Sequence, residues 1–298
     1  MTGGLPVTVI GGYLGSGKTT LVNRLLRHAG GRRLAVMVND FGALPIDRDL
    51  IESQDGDVIA IAGGCVCCTF GADLTESMAR LITRDPPPDQ ILVEASGIAM
   101  PGMIAATLSL LPGIDLLGVV VLADAETIVA QGGDAYVGDT ICRQLEQADL
   151  VLLTKPDLAG AAGVAAARDW IAAAGRRVPV AVAREGMVPP ELVLGAVARA
   201  GALPEPLPGG HAFESVVLRP DTARTPEGLA EALTSPDLGV IRAKGALRDP
   251  SGGMAMLQLV GRRWRVTPAP FDAVPGIVCI GVAGLFSREA LARLGKTD

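Results

Sequence analysis

The sequence has no stretch rich in Lys and Arg, and its 298 residues carry 26 Lys+Arg against 32 Asp+Glu, a formal net charge of -6. Without a basic field to attract a polyanion, nucleic acid is not an expected partner. The chain also lacks an uninterrupted apolar run long enough to span a bilayer, and its start, Met-Thr-Gly-Gly-Leu-Pro, has no basic region leading into an apolar core. A soluble, cytoplasmic protein with no membrane partner is the expectation. Histidine is nearly absent, with only His28 and His211. A lone His at a helix end or in a linker is more often a surface residue, so neither is assigned as a metal ligand. No internal repeat is visible.

What the chain does contain is apolar and ordered. Hydrophobic residues make up 49% and charged residues 19%, enough for a sizeable core and for one large domain with a smaller one beside it. Short apolar runs at 5–10, 34–38, 58–61, 91–93, 117–123, 150–153 and 178–182 alternate with amphipathic stretches at 18–28, 74–84, 103–111, 139–148, 162–174 and 190–200. That rhythm predicts an α/β fold, a mostly parallel sheet with helices on both faces. Around Ala202 to Gly210 the sequence turns to Ala-Leu-Pro-Glu-Pro-Leu-Pro-Gly-Gly, poor material for helix or strand. The expected organisation is a large α/β domain over 1–201, a linker over 202–211 and a smaller α+β domain over 212–298. In the last of these, strands are expected at 213–218, 240–243, 254–260 and 277–282, and helices at 225–233 and 288–294.

Three of the five cysteines, Cys65, Cys67 and Cys68, fall within four residues. In a long chain of this kind such clustering points to metal binding or thiol chemistry rather than to a disulfide framework. Cys142 and Cys279 stand alone among apolar neighbours and read as small buried hydrophobes.

The strongest motif is Gly12-Tyr-Leu-Gly-Ser-Gly17-Lys18-Thr19, a P-loop pattern that follows an apolar strand and opens a helix. A phosphate chain needs backbone N–H groups turned toward it. Gly12, Gly15 and Gly17 permit that backbone, and the helix N-terminus adds its positive dipole end. Lys18 is expected to bridge the β- and γ-phosphates, with the Thr19 hydroxyl on Mg²⁺. Leu152-Leu-Thr154-Lys155-Pro156-Asp157 ends a later strand and resembles the Asn-Lys-x-Asp signature of GTPases. Asp157 is expected there to accept two hydrogen bonds from guanine, with Lys155 lying over the ring. Thr154 departs from the usual Asn; a simple strand-to-turn segment is the alternative. Between these motifs, Ile91-Leu-Val-Glu94-Ala-Ser-Gly97 has the order of a Walker B and switch II element. Glu94 is a candidate for the Mg²⁺ water or the attacking water, and Gly97 for a γ-phosphate contact through its N–H. Asp40, after the second strand, is placed as a switch I residue. For either acid alone, a solvated loop carboxylate is the bland reading.

Gly63-Gly-Cys65-Val-Cys67-Cys68 follows the third strand, and two or three thiolates at this spacing suit Zn²⁺ and similar borderline ions. A redox-active or structural thiol cluster is the alternative. A tetrahedral ion needs a further ligand, from water, from Asp40 or from a partner, and such an open site favours transfer over storage.

The ordered set Gly-Tyr-Leu-Gly-Ser-Gly-Lys-Thr-Thr, Asn-Asp-Phe-Gly, Gly-Gly-Cys-Val-Cys-Cys, Glu-Ala-Ser-Gly and Thr-Lys-Pro-Asp resembles the CobW family, which stands with the urease and hydrogenase accessory proteins among metallochaperone GTPases. The likeness covers about the first two hundred residues; Arg242-Ala-Lys244-Gly245 resembles a short motif of the family's second domain. The resemblance implies a SIMIBI-type GTPase domain, a CobW-type C-terminal domain, slow GTP hydrolysis and delivery of a divalent metal to a client metalloprotein. It implies Gly12 to Thr20, including Ser16 and Thr20, on the phosphates, and Cys65, Cys67 and Cys68 on the metal. Zn²⁺ is the default cargo, with Co²⁺ and Fe²⁺ open, as is the oligomeric state, a homodimer included. Three departures stand out. Asn39-Asp40-Phe41-Gly42-Ala43 replaces the Asn-Glu-Phe-Gly-Glu of many members, the His-rich tract of many members is missing, and Thr154 replaces Asn. Competing functions are a P-loop phosphotransferase acting on a small molecule and a thiol-based zinc buffer or redox sensor.

Overall fold

The computed structural model describes residues 4–39, 58–63, 72–173, 178–184, 187–194, 213–220, 224–269 and 273–297. Two compact units divide the chain, Met1–Val188 and Pro189–Asp298.

In the first unit the order is β1 (Leu5–Gly12), α1 (Lys18–Arg27), β2 (Leu34–Asn39), β3 (Val58–Gly63), α2 (Ala72–Ile82), β4 (Gln90–Glu94), α3 (Pro101–Ser109) and β5 (Ile114–Asp124). There follow α4 (Ile128–Gly132), α5 (Gly138–Glu146), β6 (Leu150–Thr154), α6 (Pro156–Ala173) and β7 (Val180–Val182). The seven strands form one sheet in the order β3-β2-β4-β1-β5-β6-β7, and every pairing in it is parallel. A parallel sheet is covered on both faces, which requires strands apolar throughout rather than alternating. Every residue of β4 and of β6 is buried accordingly. The core gathers Val9, Met37, Val93, Val121 and Leu153 from the strands with Met78, Ile104, Leu108, Ile141 and Ile171 from the helices. Replacing one of these large side chains by Ala removes about 2–5 kcal/mol.

Register decides what the fold presents. Ile10 pairs with Glu94, Gly12 with Leu122, Asp124 with Thr154 and Asn39 with Gly63. The carboxyl ends of these strands therefore lie along one edge of the sheet, where ligands of open α/β sheets bind.

The second unit begins with α7 (Pro190–Leu194), followed by β8 (Phe213–Pro220), α8 (Pro226–Leu233), a 3₁₀ turn (Pro236–Leu238), β9 (Val240–Arg248), β10 (Met254–Val260), β11 (Arg263–Pro268), β12 (Gly276–Val282), α9 (Arg288–Ala292) and β13 (Gly295–Thr297). Its six strands form a sheet in the order β11-β10-β9-β12-β8-β13, antiparallel at each pairing. One face is packed by Leu229, Leu233 and Leu291 against Leu218, Leu257, Ile277 and Cys279. Both helices that cover it are capped by hydroxyls: Gly228 N donates to Thr225 Oγ1 and Ala290 N to Ser287 Oγ, each at 3.1 Å. Helix α7 goes with this unit, because the buried Arg242 of β9 donates to Leu192 O at 2.8 Å and Val193 O at 3.2 Å. Residues 202–211, expected as the linker, lie outside the described residues. Among the described residues no helix is long and apolar enough to cross a membrane.

Candidate functional site

The turn between β1 and α1 is built for an anion. Gly12 has φ 133°, and a Cβ there would lie 2.4 Å from Leu122 O and 2.7 Å from Ser16 Oγ, so only glycine lets the chain pass. Gly17, at φ 93°, caps α1 without a side-chain hydrogen bond. The first helical amide bond is Leu21 N–H to Gly17 O, at 3.0 Å. The amides of residues 18–20 therefore have no carbonyl four residues back within the helix, which is the arrangement that receives a phosphate.

Gly15, Gly17, Lys18, Thr19, Thr20, Glu94 and Gly97 line one cavity of about 450 Å³. Lys18 is 8% exposed, and its Nζ donates to Gly12 O at 3.0 Å and Tyr13 O at 3.3 Å. The ammonium is thus held beside the turn by neutral carbonyls, weaker partners for it than a phosphate oxygen. Glu94 ends β4 at 2% exposure and accepts a hydrogen bond from Thr19 Oγ1 at 2.9 Å. A hydroxyl and a carboxylate so placed are hard oxygen donors. They fit a Mg²⁺ ion that takes one or two protein ligands and completes its shell with water and phosphate. Ser16, 3% exposed, turns a hydroxyl inward that has no hydrogen-bond partner among the described residues.

The second half of the site is the turn after β6. Thr154 Oγ1 lies 2.9 Å from Ser16 O and 3.3 Å from Ala123 O, so its single proton ties the β6 end to the phosphate turn. Threonine supplies this tie where the GTPase signature has Asn. Lys155 adopts φ 53°, a left-handed conformation that non-glycine residues rarely occupy. Its Nζ pairs with Asp124 Oδ2 at 2.6 Å. The other oxygen, Asp124 Oδ1, accepts from Glu126 N at 3.0 Å. Asp157 stands exposed in the first turn of α6. That helix is broken at Gly160, with φ 66° and ψ 176°, which leaves Pro156–Ala159 as a short turn carrying Asp157.

Sequence reasoning missed two residues here. Asp124 ends β5 as Glu94 ends β4, and an acid closing an apolar strand on the same sheet edge was the signal for it. Gln144, on α5, left no such signal, because its importance depends on a partner distant in sequence. Asp40, Cys65, Cys67 and Cys68 lie outside the described residues. Among the described residues no group of three His, Cys, Asp or Glu side chains is placed to hold a metal. Cys279 is fully buried, and burial alone pushes its thiol up to about 12, which suits a small core hydrophobe.

Comparison with known proteins bears on the whole first unit. The profile described as CobW/HypB/UreG, nucleotide-binding domain, matches residues 6–181. The chain is 31% identical over 222 residues to the zinc chaperone CobW of a Sinorhizobium species, an alignment covering 65% of this chain and 63% of that protein. It is 30% identical over 310 residues to the zinc chaperone CobW of Pseudomonas aeruginosa, covering 87% and 81%. Among solved structures, the Zn(II)-bound YjiA GTPase from E. coli is similar at 24% identity and a TM-score of 0.48, over 99% of this chain and 100% of that one. On the extent of the profile match and of the Pseudomonas relative, this chain belongs to the CobW/HypB/UreG family.

Proposed function

We propose that the protein is a GTP-hydrolysing metal chaperone, which binds a divalent transition metal, Zn²⁺ first, at Cys65, Cys67 and Cys68 and delivers it to a client metalloprotein. The observation that carries the reading is the shared sheet edge. Thr19 and Glu94 meet there at 2.9 Å beneath the phosphate turn. On the same edge Asn39 and Gly63 are register partners, one residue before Asp40 and two before Cys65. The chain thus enters its candidate switch I and its thiol cluster from neighbouring strand ends. Naming as zinc chaperones in two relatives supports the cargo.

The residues divide the work by chemistry. The P-loop amides and Lys18 meet the negative charge that spreads over the transferred phosphoryl group. Bound Mg²⁺ would neutralise the β- and γ-phosphate oxygens. Glu94 orients Thr19, and with it the ligand that the hydroxyl offers. Asp157 accepts the guanine N1–H and amino hydrogens, a pattern adenine does not present. The Asp124 carboxylate holds Lys155 in its strained conformation, so the lysine stem is already in place as a cover for the base and less ordering entropy is lost on binding. Supply of an arginine finger is not evident in these motifs, so slow basal turnover follows. Cargo binding is linked to the nucleotide through the segments after β2, β3 and β4, which begin side by side.

The test is a pair of variants in the full chain. Lys18→Ala should abolish GTP hydrolysis. Cys67→Ser should leave basal hydrolysis within about twofold and weaken Zn²⁺ binding at least tenfold, the loss of one thiolate from a three-thiolate set. The reverse assignment of losses, or a phosphorylated small molecule in place of free phosphate, refutes the reading.

A further inference from the structure

Behind the loop that follows β4, Gln144 of α5 and Gln147, which caps the carboxyl end of that helix, hold backbone groups that no helix or strand satisfies. Gln144 is 1% exposed. Its amide nitrogen donates to Gly97 O at 3.0 Å and to Ala99 O at 2.9 Å. A primary amide has two hydrogens, and both are committed to this loop. One turn further along, Gln147 Oε1 accepts from Gly102 N at 2.8 Å, an amide in the first turn of α3 with no helical acceptor of its own. The span from Gly97 to Gly102 is thereby held at its carbonyls by one side chain and at its amide by the next.

The other side of the loop touches the phosphate turn. A Cβ on Gly97 would lie 2.5 Å from Leu14 Cδ2 and 2.9 Å from Leu14 N, so the loop backbone rests directly on the P-loop. Gly97 and Ile98 also line the cavity that Lys18 and Thr19 line. A trans peptide is planar, with its C=O and N–H directed oppositely. When the Gly97 carbonyl is held toward α5, the Ile98 N–H of the same peptide is directed away from α5.

We propose that Gln144 is a positioning residue for the γ-phosphate: it fixes the Gly97–Ile98 peptide so that the Ile98 N–H, one residue beyond the Gly97 N–H expected from the sequence, is offered to the terminal phosphate, which GTP has and GDP lacks. The proposal rests on the GTP reading above and deepens it. Gln144 is buried on α5 and acts through the peptide it holds. A ligand that gains one amide donor only in the triphosphate state shifts the loop by that difference in affinity and no more. Helix α5 is then the support against which the γ-phosphate is sensed. Two donors on one buried side chain make the support specific, since a side chain of equal size without donors leaves two carbonyls unsatisfied.

The test compares the full-length chain with Gln144→Met, which keeps length and volume and loses both donors. Affinities for a non-hydrolysable GTP analogue and for GDP are measured with Mg²⁺, together with kcat and KM for GTP. Amide hydrogen exchange is followed over peptides covering 95–103 and 14–27. The expected result is roughly a tenfold loss of analogue affinity with GDP affinity within about twofold, since a single hydrogen bond to a charged group is at stake. A fall in kcat and faster exchange confined to 95–103 should accompany it. Equal loss for both nucleotides, or faster exchange over both peptides, marks a structural role and overturns the proposal, as does no change at all. Should Gln144→Met not fold, Gln147→Ala removes the neighbouring tie at a half-buried position, and the same selective loss of analogue affinity is required of it. If the wild-type chain binds both nucleotides but hydrolyses neither, the hydrolysis reading fails while the affinity ratio still decides the role of Gln144.

Discussion

The two ends of the proposed nucleotide site are made differently. At the phosphate end, recognition lies in buried groups and backbone: Lys18, Glu94 and Ser16 are each under a tenth exposed, and Gly12 and Gly17 shape the turn. At the base end it lies in an exposed carboxylate, Asp157, and in a half-buried lysine held by Asp124. Charge meets charge at the first end in a low-dielectric setting, where a missing partner is expensive. At the second, water competes for every hydrogen bond, and selectivity arises from the geometry of one side chain. On the proposed function, the first end governs whether catalysis occurs, and the second governs which nucleotide is bound.

Substitutions sharpen or break this contrast. Lys18→Ala at the phosphate end should give the largest effect, loss of hydrolysis by on the order of 10³-fold, measured as phosphate release, since a clamp on transition-state charge is removed. Asp157→Asn should act on KM rather than kcat, weakening GTP binding roughly 100-fold, as expected for a lost pair of charge-assisted hydrogen bonds. Fluorescent-nucleotide titration checks it, and a matching fall in kcat would dissolve the distinction between the ends. Asp124→Asn leaves a hydrogen bond but no counter-charge for Lys155, so about a tenfold rise in KM is expected, with kcat held. Thr154→Val removes the hydroxyl that joins the two ends, and a loss of about 1 kcal/mol in denaturant unfolding should follow.

In the second unit, Cys279 sets the lower limit of expected effects. Its thiol is pushed by burial from 9.0 to about 12, so the folded state holds the proton that an unfolded chain releases near pH 9. The stability tied to that proton is whole below pH 9 and is lost as pH rises from there toward 12. Alkylation of the native protein at pH 8 should leave Cys279 unmodified.

The sequence reading reached the fold because the first sheet is parallel and doubly covered. Runs such as Ile91-Leu-Val and Leu150-Val-Leu-Leu are apolar on both faces and announce themselves without periodicity. It did not reach α4, only five residues long, nor the break at Gly160, which lies inside an Ala-rich stretch of high helix propensity. In the second unit, β11 was missed because Arg-Trp-Arg-Val-Thr-Pro carries two charges and a proline, tolerable only at the sheet edge it occupies. Strand β13, three residues long, has no pattern to read. The P-loop and Glu94 were legible since strand, turn and helix are contiguous in sequence. The pairing of Asp124 with Lys155 spans 31 residues, and the hold of Gln144 on Gly97 spans 47; such contacts exist only after the sheet has assembled.

The central claim is that a triphosphate at the glycine turn tightens the grip of Cys65, Cys67 and Cys68 on their cargo. Zn²⁺ affinity of the full chain, measured by competition with a chromophoric chelator, tests it directly when taken once with a non-hydrolysable GTP analogue and once with GDP. The account predicts tighter binding with the analogue by at least about fivefold, the lower end of ordinary coupling between sites. Equal affinities in the two nucleotide states would contradict it.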